Sequence, residues 1–164
     1  MTSPILITAF DSFGCSNTNS SEELLKRIEA ETMPDVETLL LPTSYIRSVK
    51  IAQDCIDTIK PRSVLCFGQA EGRAAISLEY ISVNVAHCDI PDNDGDMRTR
   101  EKLIYQAPEA YITTIPVYDL QDRLREAGLP AVVSFSAGTY VCNSLYFHLL
   151  HFLQNSAIRC GFIH

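Results

Sequence analysis

No two cysteines of this 164-residue chain form a Cys-x-x-Cys pair; the six stand apart at Cys15, Cys55, Cys66, Cys88, Cys142 and Cys160. That scatter argues against a structural zinc site, and a chain of this length can bury a core without disulfide staples. The thiols are read as free, in a reducing cytoplasm. Positive charge is scarce too. Thirteen Lys and Arg against 20 Asp and Glu leave a net charge of −7 with no basic cluster, which argues against a nucleic-acid surface. No apolar run approaches the length of a membrane span. The start, Met1-Thr2-Ser3-Pro4-Ile5-Leu6, lacks the basic region and long apolar stretch of a secretory signal. Repeats, linkers and low-complexity tracts are missing as well. What remains is one domain over residues 1–164, and 46% hydrophobic with 20% charged residues is the composition of a globular protein.

Within that domain, short apolar runs alternate with helical patterns. Strands are expected at 4–10, 36–41, 63–67, 76–80, 110–117, 131–135 and 158–163. A change of phase after Tyr80, at Ile81, Val83 and Val85, suggests a bulge or bend. A first helix starts at Ser20, where Ser20 and Glu23 have capping-box spacing and Leu24, Leu25 and Ile28 supply the buried stripe. A second is capped by Thr43 or Ser44 and carries Ile46, Val49, Ala52, Ile56 and Ile59 up to Pro61. Others are expected at 118–127, stopped by Gly128, and at 142–154. Strands alternating with helices of this length give an α/β fold, a three-layer α/β/α sandwich. In such sheets ligands bind beyond the carboxyl ends of strands, where "GQAEGR" (68–73) and "SAGTYVC" (136–142) fall.

Cys142 sits where a strand has ended and a helix begins. Unpaired N–H groups and the partial positive charge of a helix start favour a thiolate and can lower its pKa to roughly 3.5–7.5. The same groups can stabilise an oxyanion. A nucleophilic cysteine needs a base. His148 and His151 lie too far along the same helix, and His87 falls in the polar loop "HCDIPDNDGDM" (87–97). His164 closes the last apolar strand, at a carboxyl end. Glu79 lies in the alternating segment "AISLEYISV", and the pattern alone reads it as an outward-facing side chain.

The segments "GQAEGRAAISLEYISVNVA", "DIPDNDG", "SAGTYVCN" and "GFIH", with "ITAFDSFG" and "LPTSY" before them, resemble the pyroglutamyl peptidase I family of cysteine peptidases over essentially the whole chain. The resemblance implies an α/β/α sandwich around a mixed, mostly parallel sheet. It implies a Cys-His-Glu triad in which Cys142 is the nucleophile, His164 the base and later the acid, and Glu79 the group that orients the imidazole. It also implies removal of an N-terminal pyroglutamyl residue from peptides through a thioester. Phe10 and Phe13 would lie against the lactam ring, with Thr43, Ile90, Tyr140 and Val141 completing the wall. Gln69, through its main chain, and Asn19 would help to fix the substrate. The partners implied are peptides with N-terminal pyroglutamate and a homo-oligomer of the chain, in the cytoplasm, with no metal, cofactor, nucleic acid or membrane.

Three features depart from the family pattern. "AFDSFGC" stands where two glycines and a proline are usual in "GFEPFGG". Asp89 replaces the arginine usual before "IPDN", and a carboxylate beside the pocket would raise the thiol pKa. Members of the family continue past the equivalent of His164 with a loop and a helix, so this chain is expected to lack that helix and to leave apolar sheet surface uncovered. The last two features support a second function class, a protein that binds a small ligand or partner with little turnover.

Overall fold

A computed structural model describes residues 3–14, 18–31 and 33–164. Among the described residues, eight strands and four helices follow one another in the order β1 (Ile5–Phe10), α1 (Ser20–Glu31), β2 (Val36–Leu41), α2 (Arg47–Ile59), β3 (Ser63–Phe67), β4 (Ile76–Glu79), β5 (Ile81–Val83), β6 (Ala110–Ile112), α3 (Val117–Glu126), β7 (Ala131–Ser134), α4 (Val141–Phe152) and β8 (Arg159–Ile163). Six strands form the central sheet in the order β2-β1-β3-β8-β4-β7, and β5 pairs with β6 in a separate antiparallel ribbon. All neighbours in the large sheet are parallel except β4 and β8, which run antiparallel. The sheet is therefore mixed and mostly parallel, as the sequence resemblance implied.

Alternation along each strand sorts side chains between two helical layers. Leu6, Phe10, Val64, Cys66, Cys160 and Phe162 pack with α2 and α4 around Val49, Ile56, Val141, Leu145, Tyr146 and Leu149. Ile7 and Ala9 pack on the opposite face against Leu25 of α1, and Leu78, Val133 and Ile163 against Val117 and Leu120 of α3. A groove of about 240 Å³, lined by Leu24, Phe67, Ile76 and Ile163, lies between α1 and the β3, β4 and β8 strands. No helix among the described residues is long and apolar enough to cross a membrane.

Several local expectations change. Ser20 is not the cap of α1. Asn19 is, because its Oδ1 accepts the Ser21 N–H at 3.0 Å and the Ser21 hydroxyl at 2.8 Å. Leu24 of the expected stripe is exposed, as is Ile46 ahead of α2. Ser44 caps that helix through its hydroxyl, which accepts the Arg47 N–H at 3.1 Å. The strand expected at 110–117 stops at Ile112: Thr114 turns to donate to Cys160 O, and Pro116 opens α3. The phase change after Tyr80 is a bend between sheets. Tyr80 N donates to Ser134 O of β7 at 2.7 Å, while Tyr80 O accepts from Thr113 beyond β6 at 2.8 Å. Cys55, Cys66, Cys88, Cys142 and Cys160 are free thiols; Cys15 lies outside the described residues.

Gly161 of β8 sits under α3's approach, where a Cβ would fall 2.1 Å from Ile115 Cδ1 and 2.6 Å from Ile115 Cγ1. Ile115 is itself buried and has nowhere to retreat. Gly161→Ala is therefore expected to destabilise the fold by about 1–3 kcal/mol through overpacking, seen as a lower thermal midpoint, and Ile115→Val in the same chain should recover part of it. An unchanged midpoint in Gly161→Ala would contradict this packing.

Candidate active site

The antiparallel junction of the sheet brings a buried carboxylate against an imidazole. Leu78 pairs with Ile163 and Glu79 with Phe162, and the ladder extends one step as Ser77 and His164 exchange N–H···O bonds of 2.7 and 3.0 Å. Glu79 and His164 are thus diagonal neighbours on one face, a separation that long side chains can bridge. His164 Nδ1 lies 2.8 Å from Glu79 Oε1. A carboxylate accepts only, so Nδ1 carries the proton and Nε2 is left as the basic nitrogen. Glu79 has no solvent exposure. The outward placement read from alternation alone is overturned: both faces of β4 are covered, so burial does not follow the pattern of a half-exposed strand.

Cys142 enters from the first turn of α4. Tyr140 precedes the helix in an extended conformation, and Gly138 two residues earlier takes φ +77°, a turn that glycine makes without strain. The next residue, Asn143, staples this end of the helix to the β5 segment. Its Oδ1 accepts from Val83 N at 3.0 Å and Ser82 Oγ at 2.9 Å, and its Nδ2 donates to Val83 O at 2.8 Å. Gly68, just past β3, allows the thiol to come close. A Cβ there would stand 2.9 Å from Cys142 Sγ and 2.9 Å from Phe162 Cζ.

The expected depression of the thiol is absent. Enclosure pushes Cys142 up to about 12, and the neighbouring Cys66 and Glu79 push the same way. The backbone N–H of Cys142 and the Arg73 guanidinium act in the opposite sense without prevailing. The helix start lends a favourable dipole, but desolvation of a thiolate in this wall is the larger effect. Burial thus disfavours the thiolate, and a neighbouring base would help to draw off its proton.

Cys142 and His164 line one cavity of about 260 Å³, at the carboxyl ends of β1, β2, β3 and β8. Of the residues expected to meet a substrate, Phe10, Phe13, Asn19, Thr43, Gln69 and Tyr140 share that lining. Phe13 and Tyr140 face each other with ring centroids 5.9 Å apart. The Tyr140 hydroxyl donates to Pro91 O at 2.9 Å, which ties the 91–96 turn to the cavity wall. Asn19 also donates to Asp11 O at 2.9 Å, and Asp11 Oδ1 accepts from Thr43 N at 2.7 Å, so "AFDSFG" and "LPTSY" are held together from within. Gln69 spends its side-chain oxygen on Ser20 N at 2.7 Å, which leaves its main chain for a ligand.

Two expected wall residues lie elsewhere. Ile90 is exposed and Val141 is wholly buried in the core beneath α4, and neither lines the cavity. Asp89 is exposed and outside the lining as well, so solvent screens its charge from the thiol. His148 and His151 are engaged on α4, with Ser144 O at 2.8 Å and the Tyr111 hydroxyl at 2.6 Å. A second hollow of about 280 Å³, lined by Tyr45, Arg98, Lys102 and His148, contains neither Cys142 nor His164. Two residues of this region that the sequence reading does not single out are Arg73, whose guanidinium meets Glu79 Oε1 at 2.6 Å, and Asn143. Both stand inside the quoted segments, but nothing in their spacing separates them from their neighbours.

A family profile described as pyroglutamyl peptidase matches residues 3–164. A pyrrolidone-carboxylate peptidase of Vibrio parahaemolyticus is 38% identical over 162 residues, covering 98% of this chain and 76% of that protein. One of Bacillus cereus is 34% identical over 164 residues, with 98% and 76% covered. Among solved structures, pyroglutamyl peptidase I from Bacillus amyloliquefaciens superposes with a TM-score of 0.93 at 34% identity, covering 99% of this chain and 81% of that one. Pyrrolidone carboxyl peptidase from Thermococcus litoralis gives 0.92 at 36% identity, with 99% and 76% covered.

The raised thiol makes a prediction about His164. Burial holds the thiol well above its ordinary value, so little of it ionises at pH 7 unless a base takes its proton. Iodoacetamide labelling of Cys142 in His164→Ala should be at least about tenfold slower at pH 7 than in the unaltered chain. Because the raised group loses its proton only in alkali, labelling should climb steadily toward pH 10 and beyond. Peptide mass spectrometry reads each cysteine separately; equal labelling of Cys142 in the two proteins at pH 7 would contradict the assignment.

Proposed function

The chain belongs to the pyroglutamyl peptidase family, and from that premise we propose that it is a cysteine exopeptidase that removes an N-terminal pyroglutamyl residue from peptides. The observation that carries the reading is the buried 2.8 Å contact between Glu79 and His164 beside a cavity that Cys142 also lines. His164 takes the Cys142 proton as Sγ attacks the pyroglutamyl carbonyl carbon. N–H groups of the α4 start receive the oxyanion. Collapse breaks the C–N bond, and the proton on His164 goes to the leaving amine. The thioester is then cleaved by water, which His164 deprotonates, and 5-oxoproline leaves as the thiol regains its proton. Glu79 keeps Nδ1 protonated and holds the ring in place throughout. A thiol that burial keeps from ionising suits this scheme, because its proton moves when attack begins.

The substrate pocket follows from the same lining. A lactam ring is flat and uncharged, with one N–H and one C=O, and it suits a small cavity with aromatic walls and few directed polar groups. Phe10, Phe13 and Tyr140 supply the walls, and Thr43 and the Gln69 main chain the polar edge. A cytoplasmic location and self-association belong to the same reading and rest on resemblance alone. The second function class, binding without turnover, draws no support from Asp89, which lies outside the cavity.

The test is specificity. A prolyl substrate keeps the five-membered ring but loses the lactam carbonyl and brings a charged amine into an apolar slot. Sites that read a polar group reject analogues lacking it by about 10⁴–10⁵-fold. kcat/KM for a pyroglutamyl-amide reporter should exceed that for the prolyl-amide by such a factor, and Cys142→Ala should abolish cleavage of the first. Comparable values for the two reporters would sink the lactam pocket.

A further inference from the structure

Arg73 closes the loop between β3 and β4 and lines the same cavity as Cys142 and His164. Its Nη1 donates to Glu79 Oε1 at 2.6 Å and to Ser134 Oγ at 3.3 Å, and its Nη2 donates to Ser136 O at 3.0 Å. One carboxylate oxygen thus takes both the guanidinium and the imidazole, while Glu79 Oε2 is buried with no hydrogen-bond partner among the described residues. A carboxylate with no solvent contact is costly unless paired and hydrogen-bonded. His164 alone would give Glu79 one donor. Arg73 supplies a permanent charge and a planar fork, which lysine cannot reproduce. The other arm of that fork holds the carbonyl at the start of "SAGTYVC", the turn that leads into α4 and carries Ala137 and Gly138 of the cavity wall.

Resting on the triad reading above, we infer that Arg73 is a positioning residue of the reaction, fixing the Glu79 carboxylate against His164 and the Ser136 turn against both. The charged and titratable groups gathered here are Arg73 and Glu71 from the loop, His164 from β8, Cys142 from α4 and Cys66 from β3. Tyr146 of α4 donates to the Glu79 main-chain carbonyl at 3.0 Å and leaves the carboxylate untouched. Arg73 is therefore the sole permanent cation among the described residues that bonds this carboxylate. With Arg73 removed, the Glu79–His164 pair holds an uncompensated negative charge, and the cation that opposed protonation there is lost.

The experiment compares Arg73→Met and Arg73→Lys with the unaltered chain in kcat, KM and pH profile on the pyroglutamyl-amide reporter, with thermal midpoints alongside. Arg73→Met should lower kcat about 10²-fold, the scale of a misplaced catalytic group, with KM changed less than about threefold. The acid limb of its kcat/KM profile should move to higher pH. Arg73→Lys keeps the charge but loses the second arm, so it should recover part of kcat and leave the acid limb in place. It also serves as the reading if the methionine variant does not fold. Wild-type kcat and an unmoved acid limb in Arg73→Met would overturn the inference, as would an Arg73→Lys variant indistinguishable from wild type when the methionine variant is unfolded. Failure of the triad reading is separate and visible: Cys142→Ala would then keep activity, whatever Arg73 does.

Discussion

The hydrogen bond between His164 and the wholly buried Glu79 joins two residues 85 positions apart in the chain. Much of the structure can be understood as what that bond requires. It needs two strands that run in opposite directions with the right stagger, and the sheet supplies one such junction, between β4 and β8. A parallel neighbour would offer the same face but a different ladder, and Ser77 could not exchange both main-chain bonds with His164. The bend at Tyr80 then takes the chain out of the sheet into β5, and Asn143 fastens the start of α4 to that segment. The residue that bears the thiol is thereby referred back to the strand that bears the carboxylate.

The same enclosure has a cost that decides the chemistry. A dry wall sharpens hydrogen bonds and suits a neutral ring, but it disfavours a lone thiolate, and here that effect outweighs the helix dipole. The site resolves the conflict by keeping charges paired. Arg73 sits on Glu79, and under the proposed mechanism the thiol gives up its proton toward an imidazole already held by that carboxylate. Gly68 contributes by having no side chain, which lets Phe162, the thiol and the loop close on one another.

Much of this was legible in the sequence, for physical reasons that also mark where legibility ends. Period-two and period-3.6 patterns placed most strands and helices within a residue or two, since those runs bury one face each. They failed at 110–117, where Thr113 and Thr114 leave the ladder to bond Tyr80 and Cys160, a long-range contact that no local pattern contains. They failed for Glu79 because a strand covered on both sides carries no inside-outside signal. The motif order brought Phe10, Phe13, Asn19, Thr43, Gln69 and Tyr140 to one cavity, yet it also named Ile90 and Val141, whose side chains point elsewhere. Arg73 escaped notice because an arginine in a glycine-bounded loop is ordinarily a solvated one.

If the buried pair and the thiol act as one unit, the effects of removing Glu79 and His164 cannot multiply. The direct measurement is kcat/KM on the pyroglutamyl-amide reporter for Glu79→Gln, His164→Ala and the double variant. Members of one catalytic unit are grossly non-additive, so the double variant should be no slower than the slower single variant within about threefold. Losses that multiply would mean that Glu79 acts independently of His164, and the account built on their hydrogen bond would be wrong.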